Sequence, residues 1–148
     1  MEAEVMSLIS GSRVRIGVGS CAGVTVWPTE LHPEYPTEET ADSRAGLTYL
    51  PAGAGSAGLQ DRGKRVYHLR NQEGQDLEMK VHVADVRKPL LAVAEMNDAG
   101  LDVHFYADGR GAYAQSTRTG EVMRLQRVDN VFEFEAEVLP ASGGSRQA

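Results

Sequence analysis

Between Asp76 and Val86 the chain alternates with a period of two. Leu77, Met79, Val81 and Val83 interleave with Glu78, Lys80, His82 and Ala84. Successive side chains of an extended strand point to opposite faces, so this segment is a β-strand with one apolar face, and a helix would scatter the same residues around its axis. A strand of this kind must pair on both edges and cover one face, which commits the chain to a sheet with a core behind it.

The same pattern recurs along the chain. Val14, Ile16 and Val18 alternate with Arg13, Arg15 and Gly17, and Val24-Thr25-Val26-Trp27 forms a second β-rich run that ends at Pro28. Leu47 to Leu50 reads as a short strand. Arg65 to Arg70 reads as a longer one, with Tyr67 and Leu69 facing opposite to Val66, His68 and Arg70. Further strands are expected at Leu101–Tyr106, Gly111–Gln115, Val122–Leu125 and Val131–Val138, separated by turns at Asp108-Gly109, Thr119-Gly120 and Asp129-Asn130. One helix is expected over Pro89–Ala99, stopped by Gly100. Thr29–Gly46 is expected as an acidic surface loop with one helical turn near Thr37-Glu38-Glu39. Pro51–Gly58 is expected as a Gly-rich tip. The fold class that follows is mostly β, a barrel or sandwich with one late helix. Residues 1–12 read as an arm or short edge strand, 13–139 as the domain, and 140–148 as a disordered tail.

Composition narrows the function. The net charge is -6 over 148 residues, and no basic patch stands out, so nucleic-acid binding is not expected. Cys21 is the single cysteine, so no internal disulfide framework can form and a cysteine-based zinc site is not expected. No membrane span or signal peptide is read. The compartment stays unassigned, with an intracellular soluble protein favoured.

Several motifs look like chemistry. Gly53 to Gly58 matches G-x-G-x-x-G and Gly17 to Ala22 matches G-x-G-x-x-A, but a dinucleotide site needs that turn to open a helix, and here strand-like residues follow. Gly19-Ser20-Cys21-Ala22-Gly23 matches a cysteine version of the nucleophile elbow and lacks the helix that should follow it. No two of His32, His68, His82 and His104 sit at ligand spacing in a plausible context; His82 and Asp85 are the nearest pairing, and a solvated strand edge accounts for it. Glu30, Glu34, Glu38, Glu39 and Asp42 read as a solvated loop. No cofactor or metal is expected.

Two stretches resemble the retropepsin family of aspartic proteases, especially the protease regions of copia-type and related retroelement polyproteins. The first is Arg15-Ile16-Gly17-Val18-Gly19-Ser20-Cys21-Ala22-Gly23-Val24-Thr25-Val26-Trp27-Pro28. The second runs from Val83 through Asp85 and Pro89-Leu90-Leu91 to Gly100, with Val103-His104-Phe105, Thr119-Gly120 and Arg124-Leu125 continuing it. The resemblance covers roughly Arg13 to Val138 and implies a closed retropepsin-like barrel, with a flap-like hairpin within Leu47–Leu69. It also implies that the family's Asp-Ser/Thr-Gly-Ala motif falls on Gly19, Ser20, Cys21 and Ala22. In that chemistry one carboxylate of a pair takes a proton from water while the other donates to the carbonyl oxygen. Glycine at position 19 can do neither, so no catalytic residue is expected.

The implied function is that of a pseudo-protease, a binding or structural component of a larger assembly with a protein partner. A homodimer through Val131–Leu139 is left open. The alternatives are an aspartic-type peptidase completed by a partner and a hydrolase that depends on Cys21.

Overall fold

The computed structural model describes residues 13–49, 58–107 and 111–141. The expected arm, the Gly-rich tip and all but the start of the expected tail lie outside them.

The protein is mostly β, and six strands close into a barrel. Around it run β1 (Arg13–Gly19), β7 (Leu90–Ala92), β2 (Val26–Pro28), β6 (Asp76–Ala84), β5 (Gly63–Asn71) and β11 (Val131–Val138), which returns to β1. The long hairpin β5–β6 pairs Gly63 with Val83 at one end and Arg70 with Asp76 at the other. Closure is made by β1 against β11, antiparallel from Arg13↔Glu137 to Val18↔Phe132. Two pairings are parallel, β1 with β7 and β2 with β6. The short strands β2 and β7 therefore sit as inserts between the long ones.

Beyond the barrel, β10 (Val122–Val128), β9 (Ala112–Ser116) and β8 (Leu101–Phe105) extend the sheet as an antiparallel meander. The β10–β11 turn is the expected Asp129-Asn130, and both residues have positive φ, 51° and 67°. A two-residue hairpin loop takes that conformation because its twist matches the flanking strands.

Alternation predicts the core well. Ile16, Trp27, Tyr67, Leu69, Val83, Phe134 and Val138 are all essentially inaccessible. Trp27 stacks on Tyr67 with ring centroids 4.8 Å apart, and Tyr35 leans on the same ring at 4.9 Å. Tyr35 belongs to the segment expected as a surface loop. That segment is strapped to the barrel: the Tyr35 hydroxyl donates to the Leu139 carbonyl at 2.6 Å, and buried Arg65 donates to Thr37 Oγ1 and the Leu31 carbonyl.

Two expectations are corrected. The helical turn expected at Thr37-Glu38-Glu39 is absent; Glu38 instead bridges to Lys64 beside β5. The helix in this segment is α1 (Ala41–Ala45), which starts where Thr40 Oγ1 caps the Ser43 amide and the Ser43 side chain answers to the Thr40 amide. The late helix is shorter than expected. Leu90–Ala92 is strand β7, and α2 (Val93–Asp98) begins only after it, because Leu90 and Leu91 are needed to fill the gap between β1 and β2. Both edges of β11 are paired within the chain, by β1 on one side and by β5 and β10 on the other.

Within Leu47–Leu69, β3 (Thr48–Tyr49) pairs with β4 (Leu59–Gln60) in a separate two-stranded sheet.

Candidate functional site

Strand β1 delivers Gly19 to its last position, where it pairs with Ala92 of β7. The chain then turns away from the sheet. Ser20 and Cys21 are exposed, Ala22 is half-buried, and β2 resumes at Val26. No helix follows, so neither the G-x-G-x-x-A match nor the elbow match has the context its chemistry needs. Both strands that flank this loop attach to β7, which fixes the loop ends. Inside the loop the bracing hydroxyl is that of Thr25. Its Oγ1 accepts the Ala92 amide at 3.0 Å, while its own amide donates to Glu95 Oε1 at 2.7 Å.

The loop forms the floor of a groove of about 830 Å³. Gly17, Gly19, Ala22 and Gly23 leave that floor low, and Val26, Leu90 and Val131 add apolar surface. A Cβ placed on Gly23 would meet nothing within 4 Å, so the floor there is open space. Thr48 and Tyr49 bring the β3–β4 hairpin to the groove wall. Among the described residues its only lining carboxylate is Glu133, which is buried and accepts Arg15 Nε at 2.6 Å. Among the described residues no histidine lines it. Of the positions expected to carry a degenerate catalytic motif, Gly19, Cys21 and Ala22 line the groove and Ser20 does not.

A second polar cluster, which sequence reasoning misses, stands behind the hairpin. Asp61, just after β4, is almost fully buried. Its Oδ2 accepts the Tyr49 hydroxyl and faces His82 Nδ1 at 2.9 Å, and its Oδ1 accepts the Gly63 amide at 2.7 Å. His82 Nδ1 is also 3.1 Å from the Tyr49 hydroxyl. Asp85, the acid nearest to His82 in sequence, is exposed and takes Arg62 at 3.0 Å. Burial by itself would raise the Asp61 carboxyl, but hydrogen bonds from Tyr49, His82 and Gly63 outweigh it and hold Asp61 below the usual carboxylate range. Burial, followed by the bond to Asp61, pushes the Tyr49 phenol up.

The Asp42 carboxylate, in the first turn of α1, completes a set with Asp61 and His82 whose donor atoms lie within 4.8 Å of one another. Among the described residues these three are the group that could hold a cation. Both Asp61 oxygens already have protein donors, however, and the cluster is complete as a hydrogen-bonded tie between hairpin and barrel. The one sequence cue to it was Asp61 standing two residues before Gly63, a spacing at which an aspartate accepts a backbone amide.

No family model, curated protein or solved structure matches this chain.

Proposed function

We propose that the chain is a non-catalytic domain of retropepsin-like design that works by binding, as a pseudo-protease within a larger protein assembly. The observation that carries this reading is the groove itself. Its floor is the Gly19–Gly23 loop at the end of β1, where the resemblance expects an aspartate, and its one carboxylate is tied to Arg15. A dyad mechanism needs two carboxylates sharing a site, one ionised and one protonated. A second copy of this chain would bring a second glycine. The β3–β4 hairpin beside the groove fits the part of a flap that would close over an extended segment.

Cys21 is exposed in the same groove and is the feature that favours a hydrolase. A thiol nucleophile needs a base within hydrogen-bond reach, and no imidazole lines this groove. Binding is the stronger reading.

The test is proteolysis of a mixed peptide library by the purified chain, with and without pepstatin and a thiol alkylator. No cleavage is expected. Cleavage abolished by pepstatin would overturn the reading in favour of an aspartic peptidase, and cleavage abolished by alkylation would overturn it in favour of Cys21. Gly19→Asp combined with Cys21→Gly is the companion variant. The Gly19 Cβ would sit 3.4 Å from Leu90 Cδ1, an ordinary contact, so the carboxylate can be installed without breaking the floor.

A further inference from the structure

The protein is acidic overall, but the groove is not. Its rim carries Arg15, Arg87 and Lys88. Arg15 is neutralised by Glu133, the only carboxylate there. Arg87 and Lys88, in the loop between β6 and β7, are exposed, and among the described residues neither has an ion-pair partner. Asp85, close by in the same loop, is already paired with Arg62 at 3.0 Å. Two uncompensated cations therefore overlook an apolar floor of Gly19, Ala22, Gly23, Val24 and Leu90.

From this arrangement, and resting on the binding reading above, we propose that the groove takes an extended acidic peptide. Its carboxylates would meet Arg87 and Lys88, and its small apolar side chains would lie over the Gly19–Val24 floor. Two features favour a peptide over a nucleic acid. A phosphate chain carries a charge on every nucleotide, of which two free cations neutralise few, whereas a peptide can confine its carboxylates to the positions that meet Arg87 and Lys88. A floor that is mostly apolar also rewards side chains such as valine and alanine, which a sugar–phosphate backbone lacks. The groove volume of about 830 Å³ exceeds what a single acidic side chain would fill and suits several residues in extended form.

The experiment is fluorescence anisotropy on the full chain with three labelled decapeptides, alternating Glu-Val, Gln-Val and Lys-Val, and with a labelled oligo-dT. The Glu-Val peptide is expected to bind at least about tenfold tighter than the Gln-Val peptide at low salt, with the gap shrinking as salt rises. Arg87→Glu combined with Lys88→Glu should remove that gap; both residues are exposed, so the fold should tolerate the change. Gly23→Trp, which projects into open space on the floor, should weaken every peptide.

Equal binding of Glu-Val and Gln-Val peptides, both blocked by Gly23→Trp, would overturn the acidic preference while leaving the binding groove standing. An undiminished preference in the charge-reversed pair would do the same for the roles of Arg87 and Lys88. If no peptide binds, both the inference and the binding reading fall. Tighter binding of oligo-dT than of any peptide would overturn the proposal in favour of a polyanion site.

Discussion

At the scale of single residues, the most informative side chain is one that sequence periodicity passes over. Asp61 follows a two-residue strand, and nothing in its neighbours marks it as buried. Its partners arrive through register: Lys64↔His82 in the β5–β6 pair brings the imidazole level with it, and Thr48↔Gln60 in the hairpin brings Tyr49. Three donors converge on one carboxylate, and an asparagine there keeps one accepting oxygen but turns an NH2 donor toward the remaining donors. Asp61→Asn should therefore cost about 2–3 kcal/mol of stability near neutral pH, read as a shift of the urea unfolding midpoint. The folded Asp61 titrates below its unfolded value of about 3.9, so the unfolded state binds the proton first as pH falls. Its contribution is complete above that unfolded value and disappears as pH drops through the folded one. The gap between wild type and Asp61→Asn should accordingly close in strong acid. A gap that stays constant down to the acid limit, or one below about 0.5 kcal/mol at neutral pH, would rule out the tie described here.

Elements were legible where alternation ran long and illegible where a strand was short. β5, β6 and β11 show in the sequence because each has room for several inward residues, as with Tyr67 and Leu69 or Phe134, Ala136 and Val138. β7 does not, because Leu90-Leu91-Ala92 fits a strand and the first turn of a helix equally well, and only the gap between β1 and β2 decides it. What holds β7 and the start of α2 to the candidate loop is Thr25, buried and bonded on both sides, to the Ala92 amide and to Glu95. Thr25→Val keeps the shape, removes the acceptor and leaves the buried Ala92 amide unsatisfied. A loss of about 1–3 kcal/mol is expected in thermal or denaturant unfolding, with Thr25→Ser retaining most of the wild-type stability. An unaffected valine variant beside a destabilised serine variant would mean that packing of the methyl group, and not the hydroxyl, matters here. The Gly19–Gly23 loop was readable as small residues at a strand end; the basic rim opposite it was not, since Arg87 and Lys88 lie far along the chain and reach the groove only because β7 pairs with β1.

For the whole molecule, closure decides how the parts depend on one another. β11 holds the barrel shut through β1, joins β5 at its far end, and carries the meander through β10, so three otherwise separate pieces meet on one strand. Phe134 lies at the centre of it, 1% exposed and in register with Ile16, which is itself fully buried. A closed barrel has no edge from which to fray, and the meander has a free edge only at β8. Loss of packing at Phe134 should therefore be felt by the entire barrel at once. Phe134→Ala is expected to cost about 3–5 kcal/mol, a large part of the stability of a domain this size. Followed by hydrogen exchange, amides of β1, β5, β6 and β11 should lose protection together in the variant, while those of β8 should exchange faster than the barrel in both proteins. If β5 and β6 kept their wild-type protection while β1 and β11 lost theirs, the long hairpin would be stable without closure, and the groove built on β1 and β7 could open and close independently of the barrel wall that carries His82 and Asp61.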